Sequence, residues 1–212
     1  MTPFSHDEGT ALRELVRRAR AGDGDAFGDL YDRYAPRIYR FALVRLGSPE
    51  AAEDLLQEVF LKVVEALPRY EERGTPFAAW LFRIARNGVI DHVRARAGTV
   101  AEPLDAALAV RDDAPGPADL AELKGDAALL VAALDTLTPE QRDVVVYRFF
   151  AGLSPAEIAG VMDRREGTIR ALQFRALGAL RRHLDRVEAD SHGRDPDGRD
   201  PDGRDPARTV EP

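Results

Sequence analysis

The chain has no cysteine among its 212 residues. That excludes disulfides, thiolate catalysis and any cysteine-ligated zinc site, and it fits a reducing compartment. Histidine is equally sparse. His6, His92, His183 and His192 are scattered without metal-ligand spacing, so no metal or other cofactor is expected. Aromatic residues make up 7% of the chain, and most are Phe and Tyr in the N-terminal half. No apolar run approaches the ~20 residues of a membrane span. The N-terminus, Met1-Thr2-Pro3-Phe4-Ser5-His6-Asp7-Glu8, lacks the basic flank and apolar stretch of a signal peptide. The expectation is a cytoplasmic protein with no membrane insertion.

What is present is enough apolar residue to build a core, 44%, together with 32% charged residues and a net charge of -7. The charge is unevenly placed. Residues 1–96 are neutral, with 15 acids and 15 bases, and residues 127–187 carry nine Arg against seven acids. The acidity sits in residues 97–126, net -5, and 188–212, net -4. Basic residues concentrate further at Arg83, Arg86, Arg94 and Arg96, and between Arg164 and Arg186. Local stripes of this kind are the electrostatic footprint of nucleic-acid binding, even in a chain with pI near 5.2.

Apolar spacing predicts an all-α fold. Leu12, Leu15, Val16 and Ala19 mark a first helix. A second, capped by Asp25, carries Phe27, Leu30, Tyr31, Tyr34, Ile38, Phe41 and Ala42, with Pro36 expected to kink or split it. Ser48-Pro49-Glu50 begins a third, with an N-cap hydroxyl, a first-turn proline and an acid at the positive dipole end. It runs through Leu55, Leu56, Val59, Phe60, Val63 and Val64 towards Pro68. Thr75-Pro76 begins a fourth through Phe77, Trp80, Leu81, Ile84, Ala85 and Ile90. Both Phe77 and Trp80 fall at core spacing.

Gly98, Pro103, Pro115, Gly116 and Pro117 among acids and alanines predict a flexible acidic linker over 98–118. Helix is expected again from Ala118 to Leu134, after Thr138-Pro139-Glu140, and after the capping box Ser154-Pro155-Ala156-Glu157. The repeat Gly-Arg-Asp-Pro-Asp at 193–197 and 198–202 has no apolar residue with which to bury a core, and 188–212 is expected to be a disordered tail.

The most informative pattern lies at 155–177. Ile158, Met162, Ile169 and Leu172 can fill the angle between two crossing helices, with Ala159 small where they approach. The turn at Met162–Arg165 places Asp163, which tolerates a left-handed backbone, where glycine is usual. Arg165 stands where a hydroxyl cap is common. Thr168 and Arg170 then project outward, with Ala171, Phe174 and Arg175 on adjoining faces. That is a helix-turn-helix, in which arginine can contact guanine or phosphate.

Taken in order, these stretches resemble the extracytoplasmic-function (ECF) group of the bacterial sigma-70 family, the promoter-specificity subunits of RNA polymerase. Ala52-Glu53-Asp54-Leu55-Leu56-Gln57-Glu58-Val59-Phe60 resembles the family's region 2.2. Phe77-Ala78-Ala79-Trp80-Leu81-Phe82-Arg83-Ile84-Ala85-Arg86-Asn87 resembles regions 2.3 and 2.4. Leu137-Thr138-Pro139-Glu140-Gln141-Arg142, Glu157-Ile158-Ala159 and Gly167-Thr168-Ile169-Arg170 resemble region 4. The likeness covers residues 10–187 and implies two helical domains, 10–97 (region 2) and 119–187 (region 4), joined by the linker 98–118 and followed by the tail 188–212.

The resemblance also implies partners and sites. Asp54, Gln57 and Glu58, at i, i+3 and i+4, would dock on the clamp helices of the polymerase's largest subunit, and region 4 would meet its flap region. Arg73, Thr75, Arg83, Arg86, Asn87, His92, Arg94 and Arg96 would recognise and melt the −10 element. Arg165, Glu166, Thr168, Arg170, Ala171, Phe174 and Arg175 would read the −35 element. Many relatives are held inactive by an anti-sigma factor, which adds a further partner. No catalytic residue is implied, because the RNA chemistry belongs to the polymerase.

Two other classes compete. A stand-alone helix-turn-helix transcriptional regulator would leave the Asp54–Phe60 helix and the Asn87 region without a role. A nucleic-acid enzyme would need a paired-acid metal motif, a glycine-rich phosphate cradle or a nucleophile–histidine arrangement, and the sequence has none of these.

Overall fold

A computed structural model of the chain describes residues 6–72, 74–96 and 132–192. Arg73, the expected linker and the repeats of the expected tail lie outside the described residues. The first domain contains α1 (His6–Arg20), α2 (Gly24–Leu46), α3 (Pro49–Ala66), a 3-10 turn at Leu67–Arg69, and α4 (Phe77–Arg96). The second contains a helical turn at 132–135, α5 (Pro139–Val145) running on into a π-helical turn at Val146–Phe150, α6 (Pro155–Met162) and α7 (Glu166–His192). No strand occurs among the described residues. The last helix runs on to His192, past residue 187 where the domain was expected to end.

Local chemistry sets the helix starts. Asp23, rather than Asp25, caps α2, its carboxylate accepting from the Ala26 amide at 3.1 Å. Asp25 falls instead in the first turn, where its charge still meets the positive dipole end. Ser48 accepts from the Ala51 amide, and Thr138 and Ser154 form reciprocal boxes with Gln141 and Glu157. Pro36 does not split α2, which continues unbroken from Gly24 to Leu46. Pro36 itself faces solvent, while Leu30, Tyr34, Ile38 and Phe41 on either side of it are buried in one core. Their packing holds the helix across a residue that costs about 3 kcal/mol in a helix interior.

The core of the first domain is built by Leu30, Tyr34, Ile38 and Phe41 of α2 against Leu55 and Val59 of α3 and Leu81, Phe82 and Ala85 of α4. α3 and α4 approach so closely that a Cβ at Gly88 would run into Leu55 Cδ1. In the second domain Ile158 and Val161 of α6 meet Ile169, Leu172 and Ala176 of α7.

These two clusters are continuous. Tyr147, fully buried in the π-helical turn, stacks on Phe41 with centroids 5.3 Å apart and meets Phe82 edge-on at 6.5 Å. Around this plug, two arginines of the first domain serve the carbonyl end of the second domain's helix, and a third pairs with a carboxylate within it. Arg37 donates from Nε to Ala151 O at 2.6 Å and from Nη2 to Gly152 O at 3.0 Å, and Arg40 donates to Phe150 O at 3.1 Å. Arg45 pairs with Asp143. Cations at the end of a helix satisfy carbonyls that have no intrahelical partner and oppose the negative dipole end. The sequence reading treats the domains as separate units, and their joint packing is a property only the structure reveals.

Candidate polymerase and nucleic-acid interfaces

On α3, Asp54, Gln57 and Glu58 are all exposed. At about 100° per residue they share one face with Leu61 and Val64, within an arc of about 120°. Leu61 is 66% exposed and Val64 52%. Two large apolar side chains in water beside three polar ones give a mixed face, apolar at one end, of the kind found at protein interfaces. Sequence reasoning found the polar part. It placed Val64 in the helix's apolar run, and neither that run nor the motif marked Leu61 as exposed.

The α4 residues do not share one face. Arg83, Asn87 and Arg94 fall within an arc of about 40°, whereas His92 lies about 180° from Arg83. His92 instead faces α3, with Nδ1 3.9 Å from Glu58 Oε2. Arg86 is half-buried and turned towards the domain junction, where its charge acts on the Tyr147 phenol. Arg83 reaches the other domain, donating from Nε to Gly160 O at 2.8 Å. Arg96 ends the helix and is exposed. Arg73 lies outside the described residues.

Thr75 stands in a loop fixed from below. Tyr70 donates its hydroxyl to Thr75 O at 3.2 Å, and its ring packs 5.6 Å from Phe77 and 4.8 Å from Trp80. Phe77 is buried and Trp80 half-buried in this aromatic cluster, as their helical spacing implies. Burial pushes the Tyr70 phenol up to about 12, so it remains a hydrogen-bond donor across the neutral range.

The helix-turn-helix is formed by α6 and α7. Asp163 takes the left-handed conformation at the turn, φ 53° and ψ 52°, and its amide closes α6 on Ala159 O. Arg165 begins α7 through its backbone, its carbonyl accepting from the Thr168 amide at 2.9 Å. Arg170, Ala171, Phe174, Arg175 and Thr168 are exposed over an arc of about 160° opposite Ile169, Leu172 and Ala176. Phe174 is 80% exposed. Arg170 is held by Glu166, which accepts from its Nε at 3.0 Å and its Nη2 at 2.6 Å.

Sequence reasoning also passed over Arg37, Arg40 and Arg45. Arg33, Arg37 and Arg40 do recur at i, i+4 and i+7 on one face of a helix, but that spacing marks only a basic face and not what it meets.

A helical domain with a mixed polar and apolar face on α3 and a basic α4, packed on a helix-turn-helix whose polar arc faces outward, has the surfaces of a two-domain DNA-binding protein that also meets a protein partner. Residues 30–99 match the model of Sigma-70 region 2, and residues 133–182 match that of Sigma-70, region 4. The ECF RNA polymerase sigma factor BldN of Streptomyces coelicolor is 40% identical over 186 residues, covering 86% of this chain and 69% of its own length. The ECF RNA polymerase sigma factor ShbA of Streptomyces griseus is 38% identical, covering 82% and 96%. Among solved structures, CnrH in complex with the cytosolic domain of CnrY superimposes with a TM-score of 0.63 at 26% identity, over 82% of this chain and 97% of that one. RpoE of Bartonella quintana, in complex with the anti-sigma factor NepR, does so with a TM-score of 0.54 at 25% identity, over 75% and 96%. The chain belongs to the sigma-70 family, in its ECF group. It is a transcription initiation factor that directs RNA polymerase to promoters. Among the described residues no helix is long and apolar enough to cross a membrane.

Proposed function

We propose that this sigma factor divides its work among three faces. Asp54, Gln57 and Glu58, with Leu61 and Val64, dock on the clamp helices of the polymerase's largest subunit, and the second domain meets its flap region. The exposed side of α4, with Arg83, Asn87 and Arg94 and with Thr75 in the preceding loop, captures the −10 strand as it opens. The outward arc of α7 reads the −35 element in the major groove. The observation that carries this reading is the arrangement of α6 and α7. The apolar residues of the motif close one core, and every −35 candidate is left facing water.

The RNA-forming chemistry remains the polymerase's, and the chain works in the cytoplasm, where polymerase meets the chromosome. The RpoE relative was solved with an anti-sigma factor, and by that likeness this chain also takes an anti-sigma partner.

Single-strand capture needs cations for the backbone and hydrogen-bonding groups for unstacked bases, which Arg83 and Asn87 supply from one face. The test is abortive transcription from one promoter on duplex and pre-melted templates. Asn87→Ala is expected to impair the duplex template and to be rescued on the pre-melted one. Equal loss on both templates would remove strand capture from α4. A stand-alone repressor predicts no rescue at all, and it would not bind core polymerase without DNA.

A further inference from the structure

We propose that Phe4 seats its ring in the cavity between α1, α2 and the start of α6, so that the segment ahead of α1 is an intramolecular partner of the fold. The occupant is the chain's own side chain rather than a foreign ligand.

The cavity has a volume of about 260 Å³. Leu12 and Val16 of α1, Tyr34 of α2 and Phe77 of α4 line one side of it, and Ser154 and Glu157 at the start of α6 line the other. Val16, Tyr34 and Phe77 are buried, which makes that side apolar. A dry cavity of about 150 Å³ is large enough to hold benzene, so this one has room for a phenyl ring.

Polar groups at its edge already have partners. The Ser154 amide donates to Glu157 Oε2 at 2.7 Å, and the Glu157 amide donates to Ser154 Oγ at 3.2 Å. Arg37 is a hydrogen-bond partner of the Tyr34 phenol. Arg13 donates from Nη2 to Thr10 Oγ1 at 3.3 Å. Groups matched within the protein give a polar ligand little to bind, whereas an apolar side chain needs only the apolar wall.

The chain supplies such a side chain beside the cavity. α1 begins at His6, and its residues Gly9, Leu12, Arg13 and Val16 line the cavity from one face, at i, i+3, i+4 and i+7. Ser5-His6-Asp7-Glu8 has the spacing of a capping box, with Ser5 in the cap position and Glu8 three residues later. Phe4 is then the residue ahead of the cap. An apolar side chain at that position packs on the fourth residue of the helix, which here is Gly9. Gly9 has no side chain to meet it, and a Cβ placed on Gly9 would find nothing within 4 Å. Because Gly9 is itself part of the cavity wall, a ring stapled over that turn is carried into the cavity, towards Leu12 and Phe77. The residues ahead of α1 thus close the fold on this side.

Thermal unfolding of the free, full-length chain tests the seat. Phe4→Ala should lower the midpoint by about 5 °C or more. Saturating benzene should recover part of that loss and leave the wild-type midpoint unmoved, because the wild-type ring already fills the space. Gly9→Leu puts an apolar side chain over the same turn, and in that background the Phe4→Ala loss should fall to about half or less. A benzene response in the wild-type chain equal to that of Phe4→Ala would show the cavity open to foreign apolar guests and overturn the proposal. An unchanged midpoint in Phe4→Ala would overturn it too, since the ring would then pack on nothing. A loss that benzene does not recover and Gly9→Leu does not diminish would place the ring elsewhere. None of these measurements uses polymerase or DNA, so their failure leaves the assignment of the docking and reading faces untouched.

Discussion

The Arg45 guanidinium and the Asp143 carboxylate meet at 2.7 Å across the junction between the two domains. Burial works against the Arg45 charge, but Asp143 and the neighbouring Tyr147 phenol outweigh it and hold the guanidinium pKa above its ordinary value. Removing the carboxylate leaves a largely buried cation without its partner, a change that typically costs 3–5 kcal/mol. Asp143→Ala is therefore expected to lower the thermal midpoint clearly, while Arg45→Leu combined with Asp143→Leu restores much of the loss. Calorimetry of Asp143→Leu, Arg45→Leu and the double variant checks this. Strictly additive losses would show that the pair is not coupled.

Tyr34 gives the fold an alkaline limit. It is buried beneath the Arg37 guanidinium, and burial pushes its phenol up to about 12 from an ordinary value of 10. A folded pKa above the unfolded one means that the stabilisation is complete below pH 10 and is lost as pH rises towards 12. The two-unit shift corresponds to about 3 kcal/mol. Denaturant titrations at intervals from neutral pH upward are expected to show a flat midpoint that falls only above pH 10, with a shallower fall in Tyr34→Phe. A fall beginning near neutral pH would assign the limit to other groups.

Much of this architecture can be read from the sequence because its signals are local. Ser48, Thr138 and Ser154 announce helix starts through hydrogen bonds within one turn, and Asp163 announces the turn of the helix-turn-helix through its backbone tolerance. Ile158, Ile169 and Leu172 declare a shared core by period alone. Pro36 misleads because the packing of Tyr34, Ile38 and Phe41, which sequence separation hides, outweighs a local penalty. Arg37 and Tyr147 were illegible for the same reason. Their partners in the other domain lie 65 to 115 residues away in the chain, and nothing in the local periodicity says which residue packs against another domain. In α4, helical spacing already sets Arg83 and His92 on opposite sides, but which neighbour each one meets, α6 or α3, emerges only once the helix is packed.

The proposed docking face of α3 makes a prediction that separates its polar and apolar parts. Glu58→Arg reverses one charge beside Leu61, and Leu61→Ala removes an exposed side chain whose loss leaves the core intact. Both are expected to weaken core binding with helicity unchanged by circular dichroism. The charge reversal should lose its effect as salt rises, because exposed charges are screened within about 8 Å at physiological ionic strength. The Leu61→Ala loss should persist, since apolar burial does not depend on screening. His92→Gln serves as the control for the nearby contact to Glu58. Unchanged core affinity in Asp54→Arg combined with Glu58→Arg would place the dock elsewhere.

The recognition helix carries a clamp that the sequence did not reveal. Glu166 holds Arg170 through two hydrogen bonds one turn apart on α7, which fixes the guanidinium's direction before DNA arrives. If Arg170 reads a base edge, Arg170→Ala should weaken binding by ~1–3 kcal/mol on the matching −35 sequence and less on a mismatched one. Glu166→Gln keeps the length of the side chain but loses its charge, so Arg170 is freed to sample phosphates. Discrimination between matched and mismatched −35 elements should narrow while overall affinity holds or rises. Arg175 stands at the edge of the proposed reading arc, and a phosphate contact there predicts equal loss on every promoter with a salt slope shallower by about one unit in Arg175→Ala. The measurement is holoenzyme binding to matched and mismatched fragments across a salt series. If Glu166→Gln lowers affinity on both fragments alike and leaves discrimination unchanged, Glu166 serves the helix rather than the reading of sequence. Arg170 would then be one more phosphate contact.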